Sequence, residues 1–306
     1  SLTAGRFWSR RLLAEARAVA ADEPVDVLLV VYSHLAPYGR AIAARHRILD
    51  LQNIESSLLE SYAGTTTSLL QRSAARAEAA ALRRIERQAC DTFDTVAVVT
   101  DEDARRLPRA PKRLLVCANG MMPPGPFPPS PERTVAFVGL LGWRPNISAA
   151  RWLVREVWPH VRRDVPDAQL LLVGRDPAPE VLSFASDDIT VTGSVPEVGP
   201  YLERARVAVA PLLAGGGSRL KILEALGAGR PVVSTTVGAE GLTDLVDHGL
   251  TIADEPERFA AEIVRRLLEP ALAASEGSAG SRYVRDRYSW QRTMAPLAEE
   301  LRRVRA

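Results

Sequence analysis

Apolar runs of four to six residues alternate along the chain with stretches of helical periodicity, the pattern of βαβ units that build a mostly parallel sheet. In the first part, runs at 27–32, 47–51, 95–100 and 114–117 predict strands. Residues 1–21 predict a helix, and QRSAARAEAAALRRIERQAC over 71–90 a long amphipathic one. The segment MMPPGPFPPSP at 121–131 interrupts the pattern, because proline can continue neither a helix nor a central strand. It predicts a stiff linker, assigned to 123–131, between two domains. From 134 the alternation is more regular, with strands at 134–138, 169–173, 189–192, 207–210, 231–234 and 250–252 and helices at 148–163, 198–204, 219–227 and 256–268. This order predicts an α/β protein whose second domain, 132–287, is doubly wound and Rossmann-like. Two last helical segments, 281–287 and 294–305, have no strand to cross over to, so 288–306 is a candidate to pack back on the first domain, 1–122.

Composition narrows the function classes. Hydrophobic residues make up 46% of the 306 and charged residues 25%, a globular mixture. Lys+Arg 39 against Asp+Glu 37 leaves a formal charge of +2, so no basic surface for nucleic acid is expected. Cys90 and Cys117 lie far apart, which implies neither a disulfide framework nor a metal cluster and fits a reducing compartment. The longest apolar run, 27–32, is far short of the roughly 20 residues that span a bilayer, and a cytoplasmic location is expected. Lys112 and Lys221 are the only lysines, every other basic residue being arginine.

The strongest chemical signal is PLLAGGGSRLKILEALGAGRPVVST at 211–235, where a strand ends, three glycines follow and a helix begins near Ser218. Glycines let backbone approach a ligand closely, and a helix start offers free N–H groups and partial positive charge, which suits a phosphate. Arg219 and Lys221 add cations, while Glu224 lies too far into the helix for the dipole to explain it. An ordinary Gly-rich turn entering a solvated helix is the competing reading. Neither a P-loop nor a nicotinamide fingerprint fits, because Gly227 and Gly229 stand at a helix end.

From 134 to 242 the chain resembles the C-terminal domain of family 4 glycosyltransferases, retaining enzymes of GT-B fold. The matching blocks are FVGLLGWRPNISAARWLVREVWP, LLLVGRDP, VTGSVPEV, GPYLERARVAVAPL and GGGSRLKILEALGAGRPVVSTTVGAEGL; LDLQNIESSLLESY, FDTVAVVT, VCANG and YSW extend the likeness more weakly. The resemblance implies two Rossmann-like domains facing a cleft, the second holding a nucleotide-diphospho-sugar and the first admitting the acceptor. That acceptor would be a saccharide, a lipid-linked or a small molecule. Glu224 would match the second glutamate of an E-x7-E motif and accept hydrogen bonds from ribose hydroxyls. Backbone N–H groups of Gly217, Ser218, Arg219 and Leu220 would cradle the diphosphate, and Gly193, Val195 and Pro196 would flank the base. Arg219 and Lys221 would stabilise the leaving diphosphate, with Gly139 and Arg144 also on the donor side. No cofactor and no metal are implied.

Several positions depart from that pattern. The motif's first glutamate falls at Gly216, the usual Arg and Lys after the domain's first strand fall near Leu140 and Asn146, and Gln52 stands where a histidine is usual. The first domain is expected to be shortened, lacking an opening strand and Gly-rich loop. On the acceptor side the candidates are His34, Asn53 and Glu55, with Asp50 a helix cap or a site residue. His46, His160 and His248 have no constellation around them, and Trp143, Trp152 and Trp158 are spaced for a helix packed on a sheet. Arg83, Arg84 and Arg87 form a solvated face that could meet an anionic membrane surface or a lipid-phosphate acceptor. Two alternatives share the fold: a non-catalytic nucleotide-sugar-binding or partner subunit, and a sugar-nucleotide epimerase.

Overall fold

A computed structural model describes the chain except for Pro24, Thr66, Thr67, residues 215–218 and Ala306. The chain divides into two units, one formed by Ser1–Asn119 and Gln291–Ala306, the other by Gly120–Gly215 and Arg219–Trp290.

Unit 1 holds four parallel strands in the order β1-β2-β3-β4: Val27–Val31, His46–Leu51, Thr95–Val98 and Leu114–Val116. Every step goes the same way, so right-handed crossovers place their helices on one face. These are α3 (Ala36–Ala41), α4 (Glu55–Thr65), α5 (Leu69–Thr92) and α6 (Asp101–Arg106), preceded by α1 (Leu2–Phe7) and α2 (Arg10–Asp22). The helix expected over 1–21 is broken at Trp8, where Ser9 turns to an extended backbone and caps α2 through Leu12 N–H. Beneath the crossover helices Leu49, Leu51, Phe93, Val96 and Val98 form one core.

The opposite face of this sheet, Ile48, Ala97 and Cys117, is covered by Met294 and Leu297, the latter on the C-terminal helix Ala295–Arg305. Glu300 fixes that helix. Its buried carboxylate accepts from Thr95 Oγ1 at 2.7 Å and pairs with Arg113 at 2.6 Å and Arg303 at 2.7 Å; His46 Nε2 lies 3.4 Å away. The Arg303 hydrogen bond, together with Thr95 and Arg113, holds the Glu300 carboxyl down at about 2. His46, without visible partners in the sequence, therefore belongs to a structural cluster.

Unit 2 is a six-stranded parallel sheet in the order β10-β9-β8-β5-β6-β7. The strands are β5 Thr134–Val138, β6 Gln169–Val173, β7 Ile189–Val191, β8 Val207–Ala210, β9 Val232–Ser234 and β10 Leu250–Ile252. The first three strands run outward from β5, and the chain then returns to place β8 on its other side. The sheet reverses direction between β5 and β8, and loops leaving neighbouring strands diverge there to open a crevice. Strands buried on both faces read as continuous apolar runs, which explains VAVA in β8 and TVAFV in β5.

The helix expected over 148–163 is three pieces: α7 (Arg144–Trp152), a π-helical turn (Leu153–Val157) and α8 (Trp158–Asp164). Pro159 lacks an N–H and its ring clashes with the carbonyl one turn back, which the wider π turn relieves. The remaining helices are α9 (Pro179–Leu182), α10 (Gly199–Arg204), α11 (Leu220–Gly227), α12 (Pro256–Leu268) and α13 (Pro270–Arg287). Trp158 is buried and Trp152 meets Phe259 edge-on at 5.2 Å, but Trp143 is 38% exposed. The core assignment of Trp143 is thus corrected: it is the N-cap residue of α7, in a loop rather than on the packed helix face.

The proline-rich segment lies along unit 2. Prolines cannot donate, and their carbonyls have no ladder to join, so arginines supply the donors. Arg285 donates to the carbonyls of Pro123 and Pro124 and Arg230 to that of Pro128; Arg206 reaches those of Ser130 and Pro131. Met121 N–H adds a bond to the Tyr288 carbonyl.

Candidate functional site

The crevice of unit 2 is formed by the loop 139–143 after β5 and the start of α11 after β8. Two glycines let the ends of β5 and β6 pack closely beside it. A Cβ on Gly174, at φ +151°, would stand 1.7 Å from the Gly139 carbonyl oxygen, and one on Gly139 would press the Asn146 amide at 2.8 Å. Only glycine lets these two backbones lie so close.

Lys221, in the first turn of α11, reaches across from β8 to β5. Its Nζ donates to Asn146 Oδ1 at 2.7 Å and sits 4.8 Å from the centre of the Phe137 ring. Asn146 is buried on α7 and donates from Nδ2 to the Leu140 carbonyl at 2.9 Å. Burial, with the Arg219 charge nearby, lowers the Lys221 amine to about 7. Arg219, the N-cap residue of α11, is buried and pairs with Glu240 Oε2 at 3.3 Å. Glu224 is half-buried one turn further along, and burial raises its carboxyl. The crevice thus combines two cations with a carboxylate that water solvates poorly.

Among the other donor-side candidates, Arg144 is exposed at the start of α7 and Leu220 is 43% exposed at the start of α11. Gly193, at φ +70°, Val195 and Pro196 follow β7, Pro196 exposed and the other two half-buried. Two strand spacings separate β7 from β5, roughly 10 Å across the sheet. Gly216, Gly217 and Ser218 lie outside the described residues.

In unit 1 the acceptor-side candidates follow β1 and β2. His34 is packed between Phe7, 4.5 Å between ring centres, and Tyr32, 5.4 Å, and burial lowers its imidazole. Glu55 is raised by burial and then by the neighbouring charge of Glu86, against a hydrogen bond from Asn53. Gln52 donates to Asp50 Oδ2 at 2.8 Å and accepts from Asn119 at 3.1 Å. His248 stacks on Tyr283 at 3.9 Å and His160 lies 3.5 Å from Arg163. Among the described residues no group of three or more His, Cys, Asp or Glu could hold a metal ion, and no helix is long and apolar enough to cross a membrane.

Glu240 was not singled out from the sequence, and Asn146 was named there only as a departure, near where the resembled family has a lysine. Each contacts a cation distant in the chain, and an asparagine inside a helix or a glutamate after a strand carries no spacing signal by itself. The loop position of Glu240, after a parallel strand, is the one hint available.

Two parallel-sheet α/β units, one of them doubly wound, define the GT-B class of fold. Sucrose-phosphate synthase from Thermosynechococcus elongatus superimposes with a TM-score of 0.75 at 20% identity, over 96% of this chain and 77% of that one. HepE from Anabaena, solved in complex with UDP, gives 0.71 at 16% identity, over 95% and 82%. Residues 132–269, within unit 2, match the model of the family described as group 1 glycosyl transferases. A GDP-mannose-dependent alpha-(1-6)-phosphatidylinositol monomannoside mannosyltransferase of Mycobacterium tuberculosis is 30% identical over 162 residues, 47% of this chain and 42% of that protein. The chain spans 36% to 42% of the length of the first curated relatives it matches.

Proposed function

We propose that the protein is a retaining glycosyltransferase that moves a sugar from a nucleotide-diphospho-sugar to an acceptor hydroxyl. The observation that carries this reading is the placement of Lys221, Arg219 and Glu224 together at the sheet reversal of the segment matching group 1 glycosyl transferases. The diphosphate binds at the start of α11, where Lys221 and Arg219 meet its charge. Glu224 accepts hydrogen bonds from the ribose hydroxyls. The loop 193–196 flanks the base, and the roughly 10 Å from β5 to β7 suits the reach from diphosphate to base. The acceptor is a saccharide, a lipid-linked or a small molecule.

Transfer with retention proceeds by front-face displacement. As the bond from the sugar's anomeric carbon to the diphosphate oxygen breaks, that oxygen takes the proton of the acceptor hydroxyl, whose own oxygen forms the new bond on the same face. Charge builds on the diphosphate, and Lys221 and Arg219 stabilise it; losing one such contact raises the barrier by about 3 kcal/mol. The chemistry proposed needs no metal or cofactor.

Calorimetric titration with UDP, GDP, ADP and dTDP, repeated on Glu224→Ala, tests the donor site. One diphosphate is expected to bind, and the variant to bind it at least tenfold more weakly, in line with the loss of hydrogen bonds to a charged group. Absence of binding by all four would overturn the assignment. Turnover of the matching sugar donor then tests transfer.

A further inference from the structure

We propose that Asn146 is a positioning residue that holds the Lys221 amine over the sheet reversal and points its remaining donors at an incoming diphosphate. This rests on the donor-site reading above. The two side chains are brought together from α7 and α11, on opposite sides of the reversal, and meet at 2.7 Å. Asn146 has no freedom to turn away. Its N–H donates to the Trp143 carbonyl at 2.9 Å and its amide Nδ2 to the Leu140 carbonyl at 2.9 Å, and the bare backbone of Gly139 lies against the same amide.

The consequence is directional. With Nδ2 committed to a carbonyl, only Oδ1 is left to face Lys221, so the amide cannot flip without breaking both bonds. Lys221 carries three donors when charged. One goes to Oδ1, the Phe137 face shields the ammonium from below, and among the described residues no other acceptor takes the remaining two. Two remaining donors on an ammonium packed against a ring suit the oxygens of a diphosphate.

Asn146 and Phe137, which face the amine from α7 and β5, are both neutral. Arg219 is the charged neighbour that acts on it, and Glu224 stands three residues on along α11. A neutral amide therefore orients the amine without supplying a counter-charge, so the free site favours loss of the proton and a bound diphosphate restores it. A carboxylate at position 146 would do the opposite: it would charge the lysine in advance and compete with the ligand.

The two-lysine composition makes this measurable. With 13C-labelled lysine, NMR of the whole protein shows one side-chain signal from Lys221 and one other, from Lys112. The Lys221 titration midpoint is expected near 7 in the parent. Asn146→Asp, which keeps shape and volume, is expected to raise it by one pH unit or more. Asn146→Leu is expected to weaken binding of the cognate nucleoside diphosphate, tested among UDP, GDP, ADP and dTDP, at least tenfold, and Asn146→Asp to move the alkaline limb of that binding upward with the lysine midpoint. A midpoint identical in the parent and the Asp variant overturns the inference, and Asn146→Leu binding at the parent affinity does so too. If none of the diphosphates binds the parent, the donor-site reading fails, and the role drawn from it with it; unchanged behaviour of the variants beside normal binding overturns the role of Asn146 alone.

Discussion

Lys221 is held where its charge is costly, and the cost has a definite pH dependence. Its folded midpoint, about 7, lies below the ordinary 10.5, so between those values the unfolded chain binds the extra proton and stability rises with pH. Below about 7 the penalty is fully present; above about 10.5 it is gone. Lys221→Met removes the charge while keeping an apolar stem against Phe137. It is expected to raise stability by about 1 kcal/mol or more at pH 6, with the gain fading by pH 10, while abolishing nucleoside diphosphate binding. Denaturation at the two pH values, beside a titration with whichever of UDP, GDP, ADP and dTDP the parent binds, checks both arms. At this scale the sequence offered Arg219, Lys221 and Glu224 as candidates, because they lie within the first two turns of a Gly-led helix. It marked Asn146 only as a departure and did not show its contact with Lys221, nor Glu240 at all, because these contacts join residues far apart along the chain.

Among the elements, the C-terminal helix Ala295–Arg305 depends on one buried carboxylate. Glu300 is ionised with a folded midpoint of about 2 against an ordinary 4.5, so its contribution is present above about 4.5 and is lost as pH falls toward about 2. Glu300→Gln is expected to cost about 2 kcal/mol near neutral pH and to flatten that acid dependence. Hydrogen exchange over 295–305 between pH 3 and 7 reads both effects, and equal protection in the two proteins would remove Glu300 from the account. Strand positions were legible because parallel strands buried on both faces are short unbroken apolar runs, and Thr134–Val138, Gln169–Val173 and Val207–Ala210 coincide with theirs. The internal break at 153–157 and the helix α4 were not. A π turn leaves the apolar period nearly intact, and α4 has only a weak apolar stripe between polar residues.

Across the whole molecule, chain order and spatial order differ. Helix 295–305 follows all of unit 2 in sequence yet completes the core of unit 1. Removing residues 291–306 should uncover Ile48, Ala97 and Cys117. The lower of two calorimetric transitions is then expected to fall by several degrees while the unfolding of unit 2 holds. Burial keeps the Cys117 thiol up at about 11 in the intact protein, so its reaction with a thiol reagent should accelerate at least tenfold in the shortened one. An unchanged rate would show that the sheet face is closed by other means. Alternating runs revealed two sheets, but no periodicity says which sheet a trailing amphipathic helix will choose.

That arrangement also sets a timetable. As the chain emerges from the ribosome, the strands of unit 1 can pair early, but Met294 and Leu297, which cover one face of their sheet, follow only after every residue of unit 2 has been made. At ordinary elongation rates that interval is on the order of ten seconds or more. The nascent protein therefore carries an open apolar surface for as long as unit 2 is being made. Unit 1 begins before unit 2 and is closed after it.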